Sequence, residues 1–101
     1  MVRRAVARFG RIDYVINNAG VLANHPPVDK LDRADWQDVI GSNLSATYLT
    51  AKHCRKQLEK NGGAIVGIAS TQALMCFPDA EAYSASKGGL ISLTQALAMS
   101  L

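Results

Sequence analysis

Apolar positions along this chain change their period several times, and each change marks an element. Val2, Ala5, Val6 and Phe9 recur at helical spacing among arginines, which predicts a short amphipathic helix with one core face and one solvated face. Tyr14-Val15-Ile16 is a brief β-favouring run closed by Asn17-Asn18-Ala19-Gly20, the pattern of a buried strand ending in a turn. Residues 23 to 31, with Asn24 and Pro26-Pro27, predict a loop, and Asp32 is placed to cap the next helix. From Ala34 to about Lys60, Trp36, Ile40, Leu44, Ala51, Cys54 and Leu58 fall on one helical stripe. Gly41-Ser42 interrupts it directly before Asn43. Glycine inside a helix costs about 1 kcal/mol relative to alanine, so a local irregularity is expected there, one able to free a backbone carbonyl for water.

Asn61-Gly62-Gly63 ends the long helix with a left-handed glycine cap, and Ala64 to Ala69 is a continuous apolar strand. Two strands joined by a helix of this length form a parallel βαβ unit with a right-handed crossover. Ser70 then stands at the carboxyl end of the second strand, where open α/β sheets place their ligands. Residues 71 to 81, containing Phe77-Pro78, predict a loop. Ala82 to Leu101 predicts a final helix with Ser86, Leu90, Leu93 and Leu97 on one face and Gly88-Gly89 allowing close backbone approach. Trp36, Met75 and Met99 read as packing residues. Because the helices cover mainly one side of the strands, exposed apolar surface and a free strand edge are expected.

Composition narrows the class. The chain has 101 residues, 49% hydrophobic and 19% charged, which suits one soluble globular domain rather than a disordered segment. No apolar run approaches the roughly 18 residues of a membrane span, and the first residues do not read as a charged region followed by an apolar one, so neither membrane insertion nor export is expected. The net charge of +3 comes largely from Arg3, Arg4, Arg8 and Arg11, without the aromatic-laced basic stripe of a nucleic-acid site. That acid-free, Arg-rich opening also has the composition of an organelle transit peptide, which makes a mitochondrial address the minor alternative to a cytoplasmic one. Cys54 and Cys76 are isolated thiols, so a reducing compartment is expected and both read as packing residues. His25, His53, Cys54 and Cys76 lack the short fixed spacings of a metal site, and no metal is expected.

Tyr83 and Lys87 carry the chemistry. They lie four residues apart at the start of a helix, so a phenol and an ammonium share one face. A phenol ordinarily keeps its proton at neutral pH, and a neighbouring positive charge makes the phenolate accessible, which suits proton transfer. The duller readings are a surface Tyr–Lys pair, a serine that merely ends a strand and asparagines that satisfy nearby backbone. Spacing argues against them jointly: Ser70 stands thirteen residues before Tyr83, and Asn43 twenty-seven before Ser70.

In this order, Phe9-Gly10-Arg11-Ile12-Asp13, Asn17-Asn18-Ala19-Gly20, Asn43-Leu44, Gly63-Ala64-Ile65-Val66 with Ser70, and Tyr83 through Leu101 resemble the short-chain dehydrogenase/reductase family over nearly the whole chain. The resemblance implies a β-α-α-β-α portion of a Rossmann-like, doubly wound parallel sheet, with residues 1 to 101 forming part of an NAD(P)-binding domain. It implies a catalytic set of Asn43, Ser70, Tyr83 and Lys87. Tyr83 would move the proton, Lys87 would also bond the nicotinamide ribose, Ser70 would steady the substrate oxygen, and Asn43 would hold a proton-passing water. Asn17, Ala19 and Gly20 would line the adenosine side, although Asn-Asn-Ala-Gly is also a motif that ties strands together. The implied cofactor is NAD or NADP, the substrate a small alcohol or ketone, and the intact form a homo-oligomer.

The family's glycine-rich pyrophosphate turn has no counterpart among these residues, and the sequence stops within the helix carrying Tyr83, so a truncated form is expected. A catalytically silent module that docks on an intact relative is the rival reading.

Overall fold

The computed structural model describes residues 1–22 and 26–101. Helix α1 spans Val2–Phe9, strand β1 Tyr14–Asn17, helix α2 Arg33–Ile40 and helix α3 Ala46–Asn61, with one π turn, Gly41–Ser45, between α2 and α3. Strand β2 spans Ala64–Gly67, a 3-10 turn Thr71–Ala73 and helix α4 Glu81–Ser100. Asn24 and His25, in the loop expected over 23 to 31, lie outside the described residues.

β1 and β2 pair in parallel, with Tyr14 opposite Ala64 and Asn17 opposite Gly67. Ala64 N–H donates to the Asp13 carbonyl at 2.9 Å, and Ile68 N–H to the Asn17 carbonyl at 3.0 Å, so the ladder is closed at both ends. The molecule is α/β, a portion of a Rossmann-like parallel sheet. β2 is shorter than the apolar run that predicted it. The run continues to Ala69, but β1 ends at Asn17 and offers no further backbone to pair with.

Local signals set the helix ends. The Asp32 carboxylate accepts the Asp35 N–H at 2.8 Å, satisfying a donor that the first turn would leave open. Gly62 takes φ 64°, ψ 37°, and Gly63 N–H returns to the Leu58 carbonyl at 2.8 Å. The irregularity expected at Gly41-Ser42 is the π turn, an insertion that places Asn43 inside the widened turn. Asn61 Nδ2 reaches the Ile12 carbonyl at 3.0 Å and ties the end of α3 to the approach to β1.

The buried face of the long helical segment departs from the apolar stripe. Ala51, Cys54 and Leu58 are buried as the periodicity predicts. Before them the buried positions are Val39, Asn43 and Thr47 rather than Trp36, Ile40 and Leu44. Two of those three are polar, so a reading that follows apolar residues slips to the neighbouring face. Leu90 completes the core from α4, with its side chain 3.4 Å from where a β-carbon on Gly67 would lie.

One sheet face is covered by α3 and α4, while Tyr14, Ile16, Val66 and Ile68 are exposed on the other. No residue of α1 is buried, and Phe9 is exposed with the Arg8 guanidinium 5.4 Å from its ring centroid. The amphipathic stripe of α1 therefore forms a helix without joining the core: Val2, Ala5 and Val6 are half-buried and Phe9 is exposed. Trp36, Met75 and Met99 are likewise exposed rather than packed, since they stand on the outer face of α2, in the loop before α4 and in the last turn of α4.

The two thiols separate in the same way. Cys54 is buried, and desolvation pushes its thiol pKa up, whereas Cys76 is exposed and not a packing residue. A disulfide reagent titrated into the native protein is expected to react promptly at Cys76 and to reach Cys54 only on denaturation. Two equally fast thiols would contradict this core.

Candidate active site

Every candidate residue lies at or beyond the carboxyl ends of β1 and β2, or on a helix that packs there. Ser70 follows β2 by three residues in extended conformation, φ −156° and ψ 155°, and its Oγ accepts the Gln72 N–H at 3.2 Å. That bond starts the 3-10 turn, after which Leu74 and Met75 N–H both donate to the Thr71 carbonyl. The serine thus ends the strand, as its dull reading requires, and also stands at the sheet's ligand-binding end.

Tyr83 is in the first turn of α4 and half-buried; Lys87 is one turn on and only 6% exposed. Lys87 Nζ donates to the Ile68 carbonyl at 2.8 Å and stands 5.6 Å from the centroid of the Tyr83 ring. A buried ammonium needs hydrogen bonds to offset its lost hydration. This one is held by the strand end two residues before Ser70, with the phenol ring beside it. The helical spacing has therefore placed the pair together, and the sheet has fixed where their shared face points.

Asn43 is 3% exposed, and its amide is fully engaged with protein. Oδ1 accepts the Val21 N–H at 2.7 Å, while Nδ2 donates to the Val21 carbonyl at 3.0 Å and to Ser86 Oγ at 3.2 Å. The side chain clasps the backbone beyond β1. Gly20 makes the clasp possible: a β-carbon there would lie 2.8 Å from Asn43 Oδ1. Ala19 and Gly20 are exposed at the tip of β1, and Asn18 is exposed as well.

Three buried polar atoms have no hydrogen-bond partner among the described residues: Asn17 Nδ2, Gln72 Oε1 and Ser84 Oγ. Each belongs to a candidate residue or lies within two positions of Ser70 or Tyr83. Unpaired buried polar groups are uncommon in folded proteins, and these three stand in or next to candidate residues along the chain. By contrast, an apolar cavity of about 380 Å³ lined by Leu58, Gly63, Ile65, Leu97 and Leu101 lies at the opposite, amino end of β2. It contains none of the candidate residues.

The reading from sequence missed two participants. Ser86 was visible only as part of the apolar face of α4, yet it is fully buried and bonded on both sides. An alcohol on an apolar stripe, next to Lys87, was the available signal. The Val21 peptide group had no signal, because any residue supplies it. Among the described residues no cluster of three or more His, Cys, Asp or Glu side chains could hold a metal, and no helix is long and apolar enough to cross a membrane.

The structure is an α/β sheet with the helix carrying Tyr83 and Lys87 packed at its strand tips. The short chain dehydrogenase family model matches residues 1–101, and the chain belongs to that family. An uncharacterized oxidoreductase of Thermotoga maritima is 41% identical over 102 residues, covering 100% of this chain and 40% of the relative. A 3beta-hydroxysteroid dehydrogenase of Mediterraneibacter gnavus is 36% identical over 92 residues, 91% of this chain and 33% of the relative. Among solved structures, an apo SCOR enzyme from Clostridium thermocellum superposes with TM-score 0.92 at 40% identity, over 99% of this chain and 41% of its own. Carveol dehydrogenase from Mycobacterium avium, in complex with NAD, superposes with TM-score 0.91 at 32% identity, over 99% of this chain and 37% of its own. The chain thus spans about 40% or less of the length of these relatives.

Proposed function

We propose that residues 1 to 101 form part of the NAD(P)-binding domain of an oxidoreductase that interconverts an alcohol and its carbonyl compound, with Tyr83 as proton donor and acceptor. The observation that carries this reading is the placement of Lys87: its ammonium is buried, bonded to the Ile68 carbonyl at the end of β2, and set beside the Tyr83 ring. When bound, the nicotinamide would supply or accept the hydride. The residues of this chain would do the rest. In the oxidising direction the Tyr83 phenolate takes the alcohol proton as hydride leaves the same carbon, and in the reducing direction the phenol returns it. The Lys87 charge would stabilise the phenolate, and its remaining N–H groups would be available to the nicotinamide ribose hydroxyls. Ser70 steadies the substrate oxygen. Positioned donors of this kind are worth about 2.7–4 kcal/mol each where charge develops.

Asn17, Ala19 and Gly20 are assigned to the adenosine side of NAD or NADP, and Ala19 and Gly20 are exposed at the tip of β1. Support for the reaction class comes from relatives named 3beta-hydroxysteroid, D-threitol and carveol dehydrogenase. We assign Asn43 the water-holding role through the π turn beside it. The exposed Trp36, Tyr48 and Leu49 on α2 and α3 favour pairing with another copy, and they also support the rival reading of a silent docking module.

The test is direct. The whole protein is incubated with NAD or NADP and, in turn, a 3β-hydroxysteroid, D-threitol, carveol and simple secondary alcohols. Absorbance of the reduced nicotinamide is expected to rise with at least one pair. No rise with any pair, together with stable association with an intact family member, would replace the enzyme reading by the docking one.

A further inference from the structure

We propose that Ser86 is a positioning residue that locks the Tyr83–Lys87 turn to the loop beyond β1 through Asn43. The inference rests on the reading of Tyr83 and Lys87 as the proton-transfer pair and adds a residue assigned no part in it. Ser86 is completely buried. Its hydroxyl has one proton, which it donates to the Tyr83 carbonyl at 2.7 Å, so its oxygen is left to accept from Asn43 Nδ2 at 3.2 Å.

The orientation of this chain of bonds is determined. Asn43 meets both backbone polar groups of one residue, the Val21 N–H with its oxygen and the Val21 carbonyl with its nitrogen. Turning the amide over would set donor against donor and acceptor against acceptor at the same residue. The second N–H of Asn43 is therefore obliged to point at Ser86, and only an acceptor there satisfies it.

At the other end, the carbonyl receiving the Ser86 proton belongs to Tyr83. In an α-helix that same carbonyl also accepts the backbone N–H four residues on, which is Lys87. One buried hydroxyl thus grips the carbonyl through which the backbones of the two residues are hydrogen-bonded. Through Asn43 it relates their turn to Val21, which follows the Asn17–Gly20 turn. A water cannot stand in for it without a cavity, because the site has no exposed surface.

Ser86→Ala removes the acceptor and the second bond to the Tyr83 carbonyl together. In the whole protein we expect turnover to fall roughly tenfold, the effect of losing a buried hydrogen bond, with cofactor KM within about twofold of its starting value. Ser86→Thr, which keeps the hydroxyl, is expected to recover most of that turnover. A second readout needs no catalysis: amide hydrogen exchange at Val21 and Lys87 is expected to accelerate roughly tenfold in Ser86→Ala, while the Cys54 amide in α3 keeps its rate. Unchanged exchange at Val21 overturns the proposal, as does uniform acceleration that includes Cys54, which is plain destabilisation. Should Ser86→Ala not fold, the same exchange comparison in Ser86→Cys, whose thiol is a weaker acceptor, decides the matter. If the unsubstituted protein shows no turnover, the oxidoreductase reading fails, and the exchange result still upholds or removes the lock.

Discussion

Tyr83→Phe in the whole protein is expected to lower turnover by a factor of about 10²–10⁴, the range that a positioned acid–base group contributes. The substitution leaves in place the contacts made by the ring and by the backbone. Lys87 Nζ stands 5.6 Å from the ring centroid, an attraction that phenylalanine retains, and it stays bonded to the Ile68 carbonyl. Ser86 bonds the backbone carbonyl of Tyr83, not its side chain, so that tie also persists. Cofactor affinity should therefore hold, with the loss confined to kcat. A variant that turns over within threefold of the parent would remove Tyr83 from the proton path, whatever the family pattern.

Gly63→Ala is expected to be the most damaging small substitution outside the site, destabilising by about 1–3 kcal/mol or more. A β-carbon at Gly63 would fall on the Asp13 carbonyl oxygen and lie 2.8 Å from Leu58 Cδ2. Leu58 could adjust. The carbonyl could not, because it accepts the Ala64 N–H that opens the β1–β2 ladder. Relief of the clash would thus move the strands apart at the point where their register begins. Gly41→Ala is the matched control: it has no neighbour within 4 Å and a right-handed helical backbone, so it should be neutral or stabilise by up to about 1 kcal/mol. Denaturant midpoints for the two variants check the pair, and equal midpoints would contradict the packing at Gly63.

Much of the site's location was legible because its signals are short-range. The four-residue step from Tyr83 to Lys87 puts the two on one helix face wherever that helix sits. The apolar run after Gly63 and its ending at Ser70 identify a strand tip. The Asp32 cap and the Gly62 left-handed cap follow from the chemistry of single residues.

Asn43 shows where such signals stop. Sequence placed it at an irregular turn, and the π turn is there. Its side chain, however, bonds Val21 and Ser86, partners 22 and 43 residues away. The same distant bonds explain the slipped stripe on the long helical segment, since the face they draw inward carries Asn43 and Thr47 instead of Ile40 and Leu44.

By itself, then, the sequence determined the order and kind of the main elements and their caps, because these depend on residues within a few positions of one another, and it showed the Asn43, Ser70, Tyr83 and Lys87 set through its order and spacing along the chain. The tertiary structure alone decided that Lys87 is anchored on Ile68, that Ser86 and Asn43 are bonded to each other in the core, and that α1 stays outside it. Those outcomes depend on which backbone carbonyls and faces meet across long separations, and no local period or composition encodes such meetings.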